Sequence, residues 1–146
     1  MGAKEYLSQA LWLDQRINSK LELLETLRAL AMKVSVNLTE EKVSGGKNTK
    51  SHMENTIAKI VDLEKEINRD INRLVGVKAE IMDTISQVDD PISQLLLEMR
   101  YVNGWSWEAV AGELRFDRSW ISRLHGSALK EIEKKMKHAS KSNKKQ

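Results

Sequence analysis

The stretch EAVAGELRFDRSWISRLHGSAL, residues 108–129, decides how this 146-residue chain folds. Apolar residues recur at helical spacing on both sides of a short break at Arg115-Phe116. Two helices that cross at a steep angle need an apolar face on each helix and a short turn between them. The stretch therefore predicts a helix-turn-helix. Its predicted core is Val110, Ala111, Leu114, Phe116, Ile121 and Leu124.

Three short helices are predicted in this part of the chain. Asp90 is a favourable N-cap and Pro91 suits the first helical position, while Ser106 can cap the following helix. Asn103-Gly104 is typical of a left-handed C-cap between these two helices, and Asp117 or Arg118 opens the third. The predicted helices cover about residues 91–102, 107–114 and 117–136.

Two long heptad patterns precede this module, from Tyr6 to Val34 and from Met53 to Val88. Residues 37–51 between them are polar, contain Gly45-Gly46, and are predicted to form a flexible loop. Two long helices joined by such a loop most simply pack as an antiparallel hairpin. The predicted fold class is thus all-α, with a long antiparallel, coiled-coil-like helical hairpin followed by a helix-turn-helix. Placing Val34 opposite Met53 would bring Lys20 near Glu64.

The predicted organisation has three parts. Residues 1–89 form the hairpin, used for oligomerisation or interaction, residues 90–137 form the DNA-binding helix-turn-helix, and residues 138–146 form a basic disordered tail. Residues 1–90 hold 13 Lys and Arg against 15 Asp and Glu, whereas residues 91–146 hold 11 against 6. A polyanionic partner is therefore expected to bind the C-terminal third.

Several classes of protein are not favoured by this sequence. Cysteine is absent, the three histidines have no partners at metal-ligand spacing, and no Gly-rich phosphate loop or nucleophile elbow is present. The aspartates Asp89 and Asp90 are explained by helix capping. We therefore expect no enzymatic activity, no cofactor and no bound metal. No uncharged apolar run reaches about 18 residues, so we expect no membrane-spanning helix. We expect a cytoplasmic location.

The outward face of the third helix carries the functional prediction. Successive residues of an α-helix are rotated by 100° around its axis. If Ile121 and Leu124 point inward, the small polar residues and arginines of this helix therefore point outward. Arginine can bond a guanine edge through two hydrogen bonds, serine can bond base edges or phosphates, and lysine attracts phosphates. The alternative, that these are only solvated positions on a helical hairpin, stays open. The predicted DNA-binding residues are Arg115, Arg118, Ser119, Ser122, Arg123 and Lys130, supported by the C-terminal lysines.

The tryptophans are interpreted mainly as packing residues. Trp12 is expected at a helix interface, and Trp105 and Trp107 are expected to clamp the Ser106 cap. Trp120 is expected at the edge between core and groove. His125 is expected on the helix surface beside DNA.

Residues 95–136, LLLEMRYVNGWSWEAVAGELRFDRSWISRLHGSALKEIEKKM, resemble region 4 of bacterial sigma factors. The matching elements are the RY..G motif, Ser106, Glu108, the V-A..L core, Ile121 and Ala128-Leu129. With a heptad-rich half ahead of this module, the chain is similar to small phage and prophage transcriptional regulators of the ArpU and RinA type. The resemblance implies a recognition helix at 117–129 and activation of late or packaging genes in a bacterial host. Many such turns carry glycine where this chain has Arg115, because that residue often adopts positive φ.

The expected partners are double-stranded DNA and a second copy of the chain, joined through the hairpin, with host RNA polymerase as a further candidate. The hairpin could instead only stabilise a monomer. The rival function is a coiled-coil interaction or scaffold protein whose basic end is incidental. A true sigma factor is a weaker rival, because the chain shows no second promoter-reading region.

Overall fold

The computed structural model describes the backbone of residues 1–40 and 46–144, and the side chains of residues 1–36 and 50–140. All regular structure in this part of the chain is helical, which confirms the predicted all-α class. None of the described helices is long and apolar enough to cross a bilayer. The helices are α1 (Ala3–Glu40), α2 (Gly46–Ile85), α3 (Pro91–Leu97), α4 (Trp107–Leu114) and α5 (Arg118–Lys144), with a π-helical turn (Glu98–Val102) continuing α3.

The helices form two compact units that differ from the predicted division of the chain. One unit is Asp14–Arg73, and the other combines Met1–Leu13 with Leu74–Gln146. The predicted boundary at residue 90 therefore does not separate the hairpin from the C-terminal helices. The reason is that the first turns of α1 and the last turns of α2 pack with the C-terminal helices.

The unit Asp14–Arg73 is an antiparallel pair formed by parts of α1 and α2. Its apolar core is the buried cluster of Leu24, Leu63 and Ile67, against which Leu27 and Ile60 pack. The heptad spacing of these residues explains the pairing, because residues three and four apart share one helix face.

Three ion pairs, made by two basic residues of α1, define the register of this unit. Lys20 Nζ donates to Asp70 Oδ2 at 2.6 Å and lies 3.6 Å from Glu66 Oε2. Arg28 Nη2 donates to Glu64 Oε1 at 2.9 Å. The predicted pairing of Lys20 with Glu64 is wrong, because the inner face of α2 carries Asp70 where the assumed seam carried Glu64.

The same shift moves two residues of the predicted α2 seam to the surface. Ile57 and Ile71 are exposed, whereas Leu63 is buried. Trp12 on α1 is also exposed, at 68%, instead of packed at an interface within the chain. Ala10 and Leu13 take the inner positions on α1, and residue 12 is rotated from them by about 160° and about 100° around the helix axis.

Both long helices extend into the predicted loop, whereas α2 ends at Ile85, before the predicted end at Val88. Residues 37–40 and 46–51, predicted as loop, are helical, and residues 41–45 lie outside the described residues. Helix α5 continues to Lys144, so the predicted disordered tail is helical over 138–144, while residues 145–146 lie outside the described part. No proline interrupts these segments, and lysine and alanine favour helix, so the backbone can continue.

In the second unit, the start of α1 contributes fully buried side chains. Ala3 and Leu7 are inaccessible to solvent and Ala10 nearly so. The Tyr6 hydroxyl lies 3.2 Å from Thr84 Oγ1 on α2, within hydrogen-bonding distance. The hydrogen bond joins the beginning of the chain to the end of α2 within the same unit.

Helix α3 begins at the predicted cap. The Asp90 carboxylate accepts hydrogen bonds from the Ser93 backbone N–H at 3.2 Å and from the Ser93 hydroxyl at 2.8 Å. These bonds lower the pKa of Asp90, because they stabilise its charged form. Gly104 adopts φ +74° after the π-helical turn, which confirms the predicted left-handed stop at Asn103-Gly104.

The predicted helix-turn-helix core is present, with a graded burial. Val110 and Ile121 are buried, and the other four predicted core residues, Ala111, Leu114, Phe116 and Leu124, are half-buried. The Ser106 hydroxyl accepts the Ala109 N–H at 3.1 Å, and the Asp117 carboxylate accepts the Trp120 N–H at 2.7 Å, so both caps are formed. Helix α5 contacts both α3 and α4.

Arg115 ends α4 in the left-handed region, at φ 58° and ψ 38°. This is the position where the resemblance suggested that glycine is usual. The Phe116 N–H donates to the Ala111 carbonyl at 3.2 Å and so satisfies one of the last carbonyls of α4. The sharp turn therefore forms with a non-glycine residue, at a local conformational cost of about 1 kcal/mol.

We predict that Lys20 and Asp70 are energetically coupled, whereas Arg28 and Glu64 are not. The exposed fractions of the side chains are 23% and 19% for the first pair, against 58% and 43% for the second. In double-mutant cycles to alanine, urea unfolding should give a coupling of about 1–2 kcal/mol for Lys20–Asp70 and at most about 0.5 kcal/mol for Arg28–Glu64. Equal coupling energies for the two pairs would contradict the assigned register.

Candidate nucleic-acid interface

The six predicted DNA-binding residues are all exposed. Five of them lie on α5, and the geometry of a helix places these five within an arc of about 140° and along about 18 Å of its axis. Gly126 lies in the same arc, and a side chain added there would meet no atom within 4 Å. The outward face of α5 consists of Arg118, Ser119, Ser122, Arg123, Gly126 and Lys130.

This face is backed by a buried one. Ile121, Ala128 and Ile132 are almost inaccessible to solvent, and His125 between them is half-buried. The separation of the two faces is the amphipathic pattern of a helix that packs on one side only. The buried and exposed faces predicted for the third helix of the helix-turn-helix are therefore those that α5 has.

The predicted residues are distributed over three neighbouring surfaces of the unit. Arg118 and Ser122 line a pocket with Lys4, whereas Arg115 lines an apolar groove with Phe116 and Trp120. Lys130 lines a third, basic groove; its other lining residues are Asp89, Ser127, Glu131, Lys134, Lys135 and His138. The predicted set thus spans one helix face and its two flanks instead of a single pocket.

Arg118 is accessible despite one ion pair. Its Nη2 lies 3.7 Å from Glu108 Oε1, and both side chains are mostly exposed. Exposed pairs of this kind contribute less than about 1 kcal/mol, so an anionic ligand can displace the contact. Arg118 therefore remains free to reorient toward a ligand.

The surface of α5 is strongly basic. Residues 118–144 contain eight Lys and Arg against two Glu. The side chains of Lys141, Lys144 and Lys145, which belong to the predicted phosphate-binding tail, lie outside the described residues. A helix with this charge attracts polyanions over about one Debye length at physiological salt.

An aromatic cluster lies behind α5 that the sequence interpretation missed. The Tyr101 hydroxyl is 2.6 Å from His125 Nε2, and the Trp107 ring lies edge-on to His125 at 4.5 Å between centroids. The Arg100 guanidinium carbon lies 5.1 Å from the centre of the Trp107 ring, and Arg100 Nη1 donates a hydrogen bond to the Trp105 carbonyl at 2.9 Å. The cluster holds α5 against α4 and the π-helical turn.

His125 is therefore a packing residue and not a surface residue beside DNA. Burial, together with the smaller effect of the nearby charges of Lys4 and Arg100, lowers its pKa to about 4. The imidazole is neutral near pH 7. Burial also raises the pKa of Tyr101, so its hydroxyl keeps its proton.

The expected packing position is confirmed for Trp107 and wrong for Trp105. Trp107 is half-buried, while Trp105 is exposed at the edge of the loop before α4. Trp120 is exposed, and its ring lies edge-on to that of Phe116 with 6.3 Å between the ring centroids. This is the predicted position at the edge of the core. Trp107 packs against Arg100, Tyr101 and His125, and the predicted clamp of Trp105 with Trp107 is therefore wrong.

A periodicity signal could have placed His125 correctly. Residues 121, 125, 128 and 132 follow the four-three-four spacing of a buried helix face, and only residue 125 is not apolar. No comparable signal identified Lys4, because its position depends on packing between the two ends of the chain. Among the described residues, no three His, Cys, Asp or Glu side chains gather to hold a metal ion.

The chain belongs to the family described as Protein of unknown function (DUF1492). The family model matches residues 32–133, which is more than half of the chain and includes all six predicted DNA-binding residues. The curated proteins and the solved structures contain no significant match.

We predict a pH dependence of stability that is caused by His125. Its pKa is about 6.5 when unfolded and about 4 when folded, so the unfolded state binds more protons between these values. The stability from the neutral imidazole is full above about pH 6.5 and is lost as the pH falls through about 4. Urea unfolding should therefore give a free energy that decreases from about pH 7 to about pH 4.5, and His125→Asn should flatten this decrease.

The matched control for this experiment is His52→Asn on the exposed surface of α2. It should leave the pH dependence as in the wild type. The carboxylates Asp70 and Asp90, whose pKa values are lowered, lose their contributions at lower pH. A wild-type slope in His125→Asn would contradict the assignment.

Proposed function

We propose that this protein is a sequence-specific regulator of transcription that binds double-stranded DNA. In this proposal α5 enters the major groove, where Arg118, Ser119, Ser122 and Arg123 contact bases. Arg115, Lys130 and the lysines that follow contact phosphates on either side. The resemblance adds activation of phage late or packaging genes in the cytoplasm of a bacterial host.

The observation that carries the proposal is the outward face of α5. A helix that enters the major groove must expose one face without bulky obstructions over about two or three turns. Here that face carries two arginines, two serines, a glycine and a lysine, while the opposite face is buried. Gly126 leaves the backbone bare at its centre, so a DNA edge can approach closely.

The charge distribution supports the same assignment. The groove lined by Lys130, Lys134 and Lys135, with Asp89 and Glu131, begins at the Lys130 end of the outward face and continues along α5. A DNA backbone that flanks the groove occupied by α5 would run toward these lysines. Phosphate contacts of this kind raise affinity without sequence preference, whereas the arginines on the outward face supply discrimination.

We further propose that two copies of the chain associate through the unit Asp14–Arg73. Beyond its own core, this unit exposes large apolar side chains on both helices, among them Leu23, Leu30, Ile57, Val61 and Ile71. Leu23 and Leu30 are one heptad apart and Ile57 and Ile71 are two heptads apart, so each pair shares one face of its helix. A second hairpin would complete a four-helix bundle and would provide two recognition helices for one operator.

The rival function is a coiled-coil interaction or scaffold protein. The exposed apolar residues of the unit Asp14–Arg73 favour this reading equally, because a different protein could cover them. RNA polymerase of the host is one such partner. The outward face of α5 and its charge distinguish the two functions, since a scaffold needs neither.

We predict that the full chain selects a defined duplex from a pool of random duplexes, and that Arg118→Ala with Arg123→Ala abolishes this selection. Anisotropy titrations on the enriched duplex should show at least about a tenfold loss of affinity for this double variant, because each lost bidentate contact is worth about 1–3 kcal/mol. The affinity for a scrambled duplex should fall much less.

The matched control removes the same charge elsewhere. Arg69→Ala with Arg73→Ala lies on the exposed surface of α2 and should retain selection. If both double variants lose the same affinity, the loss is caused by the lower net charge and not by the removal of specific contacts. If the wild type enriches no sequence and binds duplexes without salt dependence, the scaffold function replaces the proposed one.

We predict that the chain is a dimer of twice 16.7 kDa and that Ile57→Glu with Ile71→Glu makes it a monomer. Two acidic side chains in an apolar interface would be desolvated without partners, which opposes association. Light scattering measures the mass, and circular dichroism checks that the variant remains helical. Ile92→Glu, an exposed apolar position in the other unit, should remain dimeric. A monomeric wild type would show that the hairpin serves only to stabilise a monomer.

A further inference from the structure

A pocket of about 350 Å³ lies at the start of α5 and includes a residue from the opposite end of the chain. Lys4 of α1 faces Arg118 and Ser122 of α5 across it. We call this site the Lys4 pocket; its lining residues are Lys4, Trp107, Arg118, Ile121, Ser122 and His125. All six belong to the same compact unit.

The pocket combines two cations with an apolar wall. Lys4 and Arg118 supply positive charge, Ser122 supplies a hydroxyl donor, and Trp107 with Ile121 forms the apolar side. Among the described residues, Lys4 has no ion pair, and Arg118 has only its long contact with Glu108. Because no carboxylate lines the pocket, an entering anion would meet no repulsive charge in its wall.

Lys4 is held in place by the buried residues around it. Ala3 and Leu7 are inaccessible to solvent, and Tyr6 lies within hydrogen-bonding distance of Thr84. Lys4 and His125 both line the pocket, and the charge of Lys4 contributes to the lowered pKa of His125. A cation on a fixed backbone loses less conformational entropy on binding than one on a loose terminus.

We infer that the Lys4 pocket binds a backbone phosphate of the DNA, with the adjoining deoxyribose against Trp107 and Ile121. This inference rests on the proposed function, since Arg118 and Ser122 border both the pocket and the outward face of α5. A strand that leaves the groove occupied by α5 on the Arg118 side therefore reaches Lys4. Lys4 thereby joins the first turn of the chain to DNA recognition.

The contact is independent of base sequence. A lysine ammonium is a compact point charge that pairs with phosphate, whereas discrimination of a base edge favours a planar donor pair such as arginine. Removing one phosphate contact should lower affinity for every duplex by a similar factor. It should also reduce the slope of log affinity against log salt by about 0.9.

The experiment compares Lys4→Gln, Lys4→Arg and the wild type as full chains. Anisotropy titrations with the selected duplex and a scrambled duplex, between about 50 and 200 mM NaCl, give affinity and salt slope. We expect Lys4→Gln to bind both duplexes about three- to tenfold more weakly, with the slope reduced by about one, and Lys4→Arg to retain most of the affinity. Lys33→Gln, an exposed lysine of α1 in the other unit, should behave as the wild type.

Each other outcome overturns a defined statement. If Lys4→Gln keeps the wild-type affinity and slope while Arg118→Ala with Arg123→Ala loses selection, the phosphate assignment fails and the proposed function stands. If Lys4→Gln weakens only the selected duplex with an unchanged slope, Lys4 reads bases and the phosphate assignment also fails. If the wild type binds no duplex, the proposed function fails and this inference fails with it.

Discussion

Helix α5 has to bury one face while it exposes the other, and most of the C-terminal structure follows from this requirement. Ile121, Ala128 and Ile132 are covered by their surroundings, and α5 contacts both α3 and α4. Since the buried face is fixed, so is the direction in which the opposite arginines and serines point. The turn at Arg115 and the caps at Ser106 and Asp117 hold α4 and α5 at the angle that permits this packing.

One polar residue, His125, lies within the buried face of α5. His125 occupies a position at which an aliphatic residue would continue the apolar spacing. Its cost of burial is offset by the Tyr101 hydroxyl at 2.6 Å and by the Trp107 ring. Such a satisfied polar contact fixes the rotation of α5 more narrowly than aliphatic packing alone, because a hydrogen bond tolerates little displacement.

Local signals in the sequence predicted the elements well, and long-range packing limited the rest. Caps at Asp90, Ser106 and Asp117 depend on neighbouring residues, so they could be identified from the sequence. The register of α1 against α2 depends on which of several similar heptad faces form the contact. Lys20 pairs with Asp70 and not with the predicted Glu64. The outward face of α5 could be predicted from the rotation of 100° per residue in a helix. The position of Lys4 beside α5 could not, because its neighbours there lie more than 100 positions away in the sequence.

The burial of Ala3 and Leu7 has a consequence for the order in which the protein forms during synthesis. Residues 1–13 complete a unit whose other members begin at residue 74, so that unit closes a long loop, while the contacts of the unit Asp14–Arg73 are nearer in sequence. On the ribosome, the intervening hairpin can pair first and bring the two distant segments together. The unit that contains the outward face of α5 then forms after the hairpin, because α5 must first have left the exit tunnel.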